Sequence, residues 1–130
     1  MTGSKVLLDT NIIIEVFRGN LQILQLLERT AKIDIPYVVL GELLLGAYRS
    51  SNSEKHLLQV KAFLKNCSII QPDTDTVYDY AIIKSELLKK GKPIPENDIW
   101  IAAVAKRHNL TLITRDKHFK EVPQIKVETW

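Results

Sequence analysis

Cysteine is almost missing from this chain: Cys67 stands alone, so no internal disulfide and no thiolate metal cluster can form, and nothing points to an oxidising compartment. Long apolar runs are missing too. None approaches the ~20 residues that a membrane-crossing helix needs, and no basic region followed by a long apolar segment opens the sequence as in a secretion signal. A cytoplasmic protein with no membrane partner is therefore the expectation. Met1 to Ser4, MTGS, reads equally well as a natural start or as an expression remnant. There is no repeat, no low-complexity tract and no linker long enough to divide the chain, which makes residues 1–130 one expected folding unit. Charge of neither sign dominates. Lys plus Arg number 18 against 15 Asp plus Glu, and this modest positive balance is compatible with a polyanionic partner without requiring one. With 45% hydrophobic and 25% charged residues, the composition is that of a globular chain able to bury a core.

Two kinds of segment alternate. Short β-rich runs lie at 6–9 (VLLD), 32–36 (KIDIP), 67–71 (CSIIQ), 110–114 (LTLIT) and 124–129 (QIKVET), and longer stretches with helical period or composition separate them. This alternation predicts an α/β fold built on a parallel sheet of about five strands. Helices are expected over 20–30, with Asn20 as N-cap, over 38–50, and over 51–66, where Ser51 and Glu54 have capping-box spacing. Two more are expected over 75–90, ending at Gly91, and over 96–109, a nearly all-apolar helix after Pro95. The segment 89–97, KKGKPIPEN, is the expected mobile one.

In VLLDTN, residues 6–11, three apolar residues of a buried strand run straight into Asp9, Thr10 and Asn11. Ligands of open parallel sheets bind outside the carboxyl ends of the strands. Asp9 ends the first strand, and Asp116, in LTLITRD, lies just beyond the fourth. Glu42 interrupts the apolar VVLGELLLG helix, and Asp98 stands in the first turn of the helix that runs on through IWIAAVA. Gathered into one crevice, four carboxylates repel, since unit charges ~4 Å apart interact by ~4 kcal/mol at an effective dielectric of 20. Either protonation or a cation must compensate. A set of oxygen ligands with no His or Cys in range suits Mg²⁺ or Mn²⁺ rather than zinc, and such an ion supports phosphodiester hydrolysis by polarising a phosphoryl oxygen and acidifying water. Asn11 is placed to orient Asp9, and Thr114 to hold a metal-bound water or Asp116. Taken singly, each acid also has a structural explanation, as a helix cap, a turn former or a partner of the helix dipole. Glu42 is the hardest to explain that way.

LLDTNIIIEVFRGN, IPYVVLGELLLGAYRS, KKGKPIPENDIWIAAVA, LTLITRDKHFKEVP and the final VETW together resemble the PIN-domain ribonucleases of the VapC toxin type, from about Val6 to Trp130. The resemblance implies a three-layer α/β/α sandwich and a Mg²⁺- or Mn²⁺-dependent endoribonuclease. It further implies a homodimer, inhibited by a cognate VapB-like antitoxin whose C-terminal segment occupies the acidic groove. Asp9, Glu42, Asp98 and Asp116 then become the catalytic constellation, Asp9, Asp98 and Asp116 the metal ligands, and Asn11 and Thr114 their polar support. One departure is Glu96, where the family often has a shorter residue ahead of the Asn-Asp pair. Lys89, Lys90, Lys92, Arg115, Lys117 and Lys120 are expected in loops bordering the crevice, with Arg115, Lys117 and Lys92 the first choices for contacts to RNA phosphates and Arg18 and Arg49 further options.

Other groups read as structural. Asp73, Asp75 and Asp79 suit the start of a helix. His56, His108 and His118 lack spacing for joint metal binding and read as surface residues, His118, two beyond Asp116, being the only one near the proposed chemistry, and Trp100 reads as core or subunit contact. A haloacid-dehalogenase-like phosphoryl transferase would need an Asp where Asn11 stands, and a receiver domain an acceptor Asp that SIIQP does not offer. The rival from another class is a non-catalytic module whose acidic groove receives a basic peptide.

Overall fold

The computed structural model describes residues 5–130; Met1 to Ser4, whose origin the sequence leaves open, lie outside the described residues. Five strands form a single parallel sheet: β1 (Lys5–Leu8), β2 (Lys32–Pro36), β3 (Ser68–Ile70), β4 (Thr111–Ile113) and β5 (Lys126–Glu128). Their order is β3-β2-β1-β4-β5, and every neighbouring pair is parallel. Each strand overlaps one of the β-rich runs. Val6, Leu7 and Leu8 of the central β1 are all buried, as a strand covered on both faces requires.

Six helices fill the connections: α1 (Thr10–Phe17), α2 (Leu21–Glu28), α3 (Tyr37–Arg49), α4 (Ser53–Leu64), α5 (Thr74–Lys89) and α6 (Glu96–His108). The first four lie on the path that steps from β1 to β3, and α5 and α6 carry the chain back past β1 to β4. Crossovers between parallel strands are right-handed, so steps in opposite directions place their helices on opposite faces. The result is the expected α/β/α sandwich. Helix α6 is its most buried helix, with Ile99 and Ile101 to Ala105 all in the core, which explains why its sequence shows almost no polar face.

The local chemistry of the helix ends follows the sequence in most places. Asn20 caps α2 by accepting from the Ile23 N–H, and Asp73 caps α5 by accepting from Thr76. At α4 the expectation is corrected: Asn52, not Ser51, is the cap, accepting from the Lys55 N–H at 3.2 Å, so the Ser51–Glu54 capping box does not form. Asn109 ends α6 in the left-handed region at φ 51°, a conformation that asparagine tolerates better than most residues. Of the second acidic group only Asp73 caps. Asp75 pairs with Arg107 at 2.9 Å and Asp79 with Lys106 at 3.3 Å, tying α5 to α6. Trp100 stacks on Tyr80, centroids 3.9 Å apart, and meets the edge of Tyr37, so it serves packing. Two elements have no counterpart in the sequence reading: α1, and a 3-10 helix over Lys117–Glu121. The 89–97 segment is only partly a loop, because Lys89 belongs to α5 and Glu96 and Asn97 to α6.

The topology fixes the place of the site. The chain leaves β1 toward β2 on one side and reaches β4 on the other, so the connections diverge between β1 and β4. A crevice opens at the carboxyl ends of strands at such a switch point. Leu8 is in register with Ile113, and the Asp9 N–H donates to the Ile113 carbonyl at 3.0 Å. Asp9 and Thr114 are thereby set side by side, although 105 positions apart.

Candidate active site

Asp9 caps α1, its Oδ1 accepting from the Thr10 N–H at 2.8 Å. The other oxygen, Oδ2, accepts from the Thr114 hydroxyl at 2.7 Å and from Asn11 Nδ2 at 3.2 Å. The Thr114 oxygen in turn accepts from the Asp116 N–H at 2.9 Å, and Asn11 Oδ1 accepts from the Arg115 N–H at 3.1 Å. Thr114 and Asn11 therefore bridge the ends of β1 and β4, in the supporting positions expected of them. Glu42 reaches in from the second turn of α3, and its Oε1 accepts from the Thr10 hydroxyl at 2.7 Å. Asp98 stands in the first turn of α6, only 9% exposed, where the positive end of the helix dipole favours a carboxylate. Asp116 caps the 3-10 helix, accepting from the His118 N–H at 2.9 Å.

All four acids line one crevice of about 400 Å³. Three features of it bear on the sequence reading. Glu15 also lines the crevice, paired with Arg18 at 3.1 Å and with Arg115 at 3.5 Å. The available signal is helical spacing, since Asn11, Glu15 and Arg18 stand at i, i+4 and i+7 and share one face of α1. Second, His118 is no bystander, for its Nδ1 lies 3.0 Å from Asp98 Oδ2 and 2.9 Å from Asp116 Oδ1. The expectation that no histidine is in range is thus corrected. Third, of the cations expected to border it, Arg18 and Arg115 line the crevice. Lys117 and Lys92 are not among the lining residues, and Lys90 is turned toward Glu121. Arg115 is held in place by Glu15 and by a 2.8 Å hydrogen bond from its Nε to the Trp130 carbonyl.

Burial raises the Asp9 pKa against the hydrogen bonds from Thr114 and Thr10, and the charges of Glu42 and Asp116 add to the rise. The Asp98 carboxyl is pushed up to about 6, first by burial and next by the Asp116 charge. His118 is raised, chiefly by its hydrogen bond to Asp98. A set of crowded carboxylates in which burial disfavours the ionised forms of Asp9 and Asp98 fits a divalent cation, which relieves both burial and mutual repulsion.

The signs lead to a test. Between 3.8 and about 6 the folded protein holds an Asp98 proton that the unfolded chain has released, so this group's contribution to stability falls as pH rises through that window. The His118 contribution has the same direction: present below the unfolded value of 6.5, it is lost as pH rises through the raised folded value. A cation competing with these protons is expected to raise the melting temperature more at about pH 7.5 than at about pH 5.5. Differential scanning fluorimetry with Mn²⁺ checks this; equal shifts at the two pH values contradict it.

A family model described as the PIN domain matches residues 6–125, a span that contains every acid of the crevice. This chain is a PIN domain of the VapC type. Ribonuclease VapC2 of Haemophilus influenzae is 35% identical over 129 residues, covering 97% of this chain and 98% of the relative. The tRNA(fMet)-specific endonuclease VapC of Salmonella typhimurium is 30% identical over 131 residues, with the same coverage of each. Among solved structures, the DNA-bound VapBC of Salmonella typhimurium superposes on this PIN domain with a TM-score of 0.92 at 29% identity, covering 98% of both chains. Among the described residues, no helix of this PIN domain is long and apolar enough to cross a membrane.

Proposed function

We propose that this PIN domain is a Mg²⁺- or Mn²⁺-dependent endoribonuclease and the toxin of a toxin–antitoxin pair. The observation that carries the reading is the meeting of Asp9, Glu42, Asp98 and Asp116 in one crevice at the switch point of the sheet. Asp9, Asp98 and Asp116 are the residues that would hold the cation. It supplies Lewis-acid stabilisation of the phosphoryl oxygens and acidifies water. The chain's own groups do the rest. Thr114 and Asn11 fix the Asp9 carboxylate, and Glu42, held by Thr10 at the crevice wall, is the group that would take a proton from an attacking water. Arg18 and Arg115 are the cations that meet RNA phosphates, and their pairing with Glu15 limits the side-chain freedom that binding must remove.

VapBC complexes among the structural relatives support an antitoxin partner for this chain. A basic antitoxin segment has complementary chemistry to the acidic crevice. A homodimer belongs to the same reading: Val77, Tyr78 and Ile82 of α5 are exposed apolar residues, and a second copy would cover them. Transfer RNA is the first substrate to try, because one relative carries tRNA(fMet) in its name.

Expression without antitoxin, followed by mapping of new 5′ ends on total cellular RNA, tests the reading. Growth arrest with cleavage at a small set of sites is expected; an unchanged RNA population in arrested cells overturns the ribonuclease assignment. In vitro, RNA affinity should fall with salt by about 0.7 log units per log unit for each phosphate neutralised on a single strand. Arg115→Ala should reduce that slope by about one phosphate. Fluorescence anisotropy measures both, and a flat affinity across salt contradicts the cationic rim.

A further inference from the structure

Among the described residues, His118 is the imidazole that touches the acids of the crevice, at Asp98 and Asp116, and the acidic constellation does not account for its place there. It follows Asp116 by two residues, and the 3-10 turn that Asp116 caps carries the imidazole against the Asp98 and Asp116 carboxylates. Its Nδ1 lies 3.0 Å from Asp98 Oδ2 and 2.9 Å from Asp116 Oδ1. One donor atom from each of the three residues lies within 4.8 Å of the others. Adjacent ligands of an octahedral ion with bonds of about 2.1 Å are about 3 Å apart, which is the spacing of the imidazole nitrogen from either carboxylate. The two pairings are weakly satisfying as hydrogen bonds alone, because a single Nδ1–H serves two acceptors. The ring is also half exposed, so it can adjust to an ion without unpacking the core.

We propose that His118 is a direct ligand of the divalent cation, through Nδ1, and that it biases the site toward Mn²⁺ over Mg²⁺. This rests on the metal-dependent reading above and deepens it. Mg²⁺ strongly prefers oxygen and keeps several waters, whereas a first-row transition ion accepts an imidazole nitrogen more readily, Mn²⁺ the least among them. One nitrogen among the carboxylates therefore adds more to the affinity for Mn²⁺ than to that for Mg²⁺. The alternative role, an imidazolium that neutralises Asp98 and Asp116 and must leave when the cation arrives, makes the opposite prediction for a variant that lacks the ring.

The test is binding of each metal alone to the full chain. Isothermal titration of Mn²⁺ and Mg²⁺ is run on the unaltered protein, His118→Ala and Asp9→Asn, with pulsed electron paramagnetic resonance of the Mn²⁺ forms. Loss of the ring should weaken Mn²⁺ by about tenfold or more and Mg²⁺ by no more than about threefold. The unaltered protein should show a directly bound ¹⁴N coupling that His118→Ala lacks. Tighter Mn²⁺ binding by His118→Ala, or no ¹⁴N coupling in the unaltered protein, overturns the proposal. If either occurs while Asp9→Asn still weakens both metals, the nuclease reading stands and only the His118 assignment falls. If the unaltered protein binds neither metal, both fall together.

Discussion

Replacing Asp98 by Asn is expected to reduce RNA cleavage by about a thousandfold or more, a loss of about 4 kcal/mol of transition-state stabilisation. The substitution keeps the size of the side chain and one oxygen able to accept from His118, while it removes the charge and replaces the second oxygen by an NH₂ group that donates. Asp98 lies at the centre of the cluster: it is largely buried in the first turn of α6 and repelled by Asp116. For the same reason the fold should not suffer. A carboxyl whose pKa is pushed up to about 6 opposes folding when ionised at neutral pH, so Asp98→Asn should melt at the same temperature as the unaltered protein or higher. Loss of activity with retained stability separates a chemical role from a structural one. Cleavage of a transfer RNA pool and growth on induction are the readouts. Activity within about tenfold of the unaltered protein would remove Asp98 from the chemistry, and toxicity without any cleavage would favour an acidic groove that only binds peptide.

Chelation of divalent cations is expected to have an effect of similar size. With EDTA in excess, cleavage should fall to background, and adding back Mn²⁺ or Mg²⁺ should restore it where Na⁺ or K⁺ does not. The physical reason lies in the crevice itself. Asp9, Glu42, Asp98 and Asp116 bring up to four negative charges to the place where a phosphodiester must sit. At separations near 4 Å each such repulsion is worth ~4 kcal/mol at an effective dielectric of 20. Without a cation the crevice repels its substrate, so RNA affinity should fall along with rate. Undiminished cleavage in excess EDTA would assign catalysis to the side chains alone.

The fold is largely legible in the sequence because strands and helices here differ in kind. VLLD and LTLIT are short and β-branched or leucine-rich, and they are separated by stretches of helical length. The four acids are legible because they are out of place: Glu42 in an apolar helix, Asp9 and Asp116 at strand ends. Other features depend on geometry that a linear pattern does not carry. Helix α1 is eight residues long and its core is IIIEV, a β-branched run that reads as readily as a strand. Glu15 resembles any acid on a helix surface until α1 turns it into the crevice between Arg18 and Arg115. His118 enters through a five-residue 3-10 helix, an element with no marked sequence period. Which cations line the crevice depends on the path of a loop and not on its composition: Arg115 does, held by Asn11 and Glu15, while Lys92 and Lys117 are not among the lining residues.

Crystals soaked in Mn²⁺ and measured at the manganese absorption edge would locate the cation without reference to any activity. An anomalous peak in contact with Asp9, Asp98 and Asp116 is the expected result, lost when Asp98→Asn crystals are treated in the same way. A peak elsewhere on the surface, or none in the crevice at millimolar Mn²⁺, would mean that these carboxylates meet for some other reason.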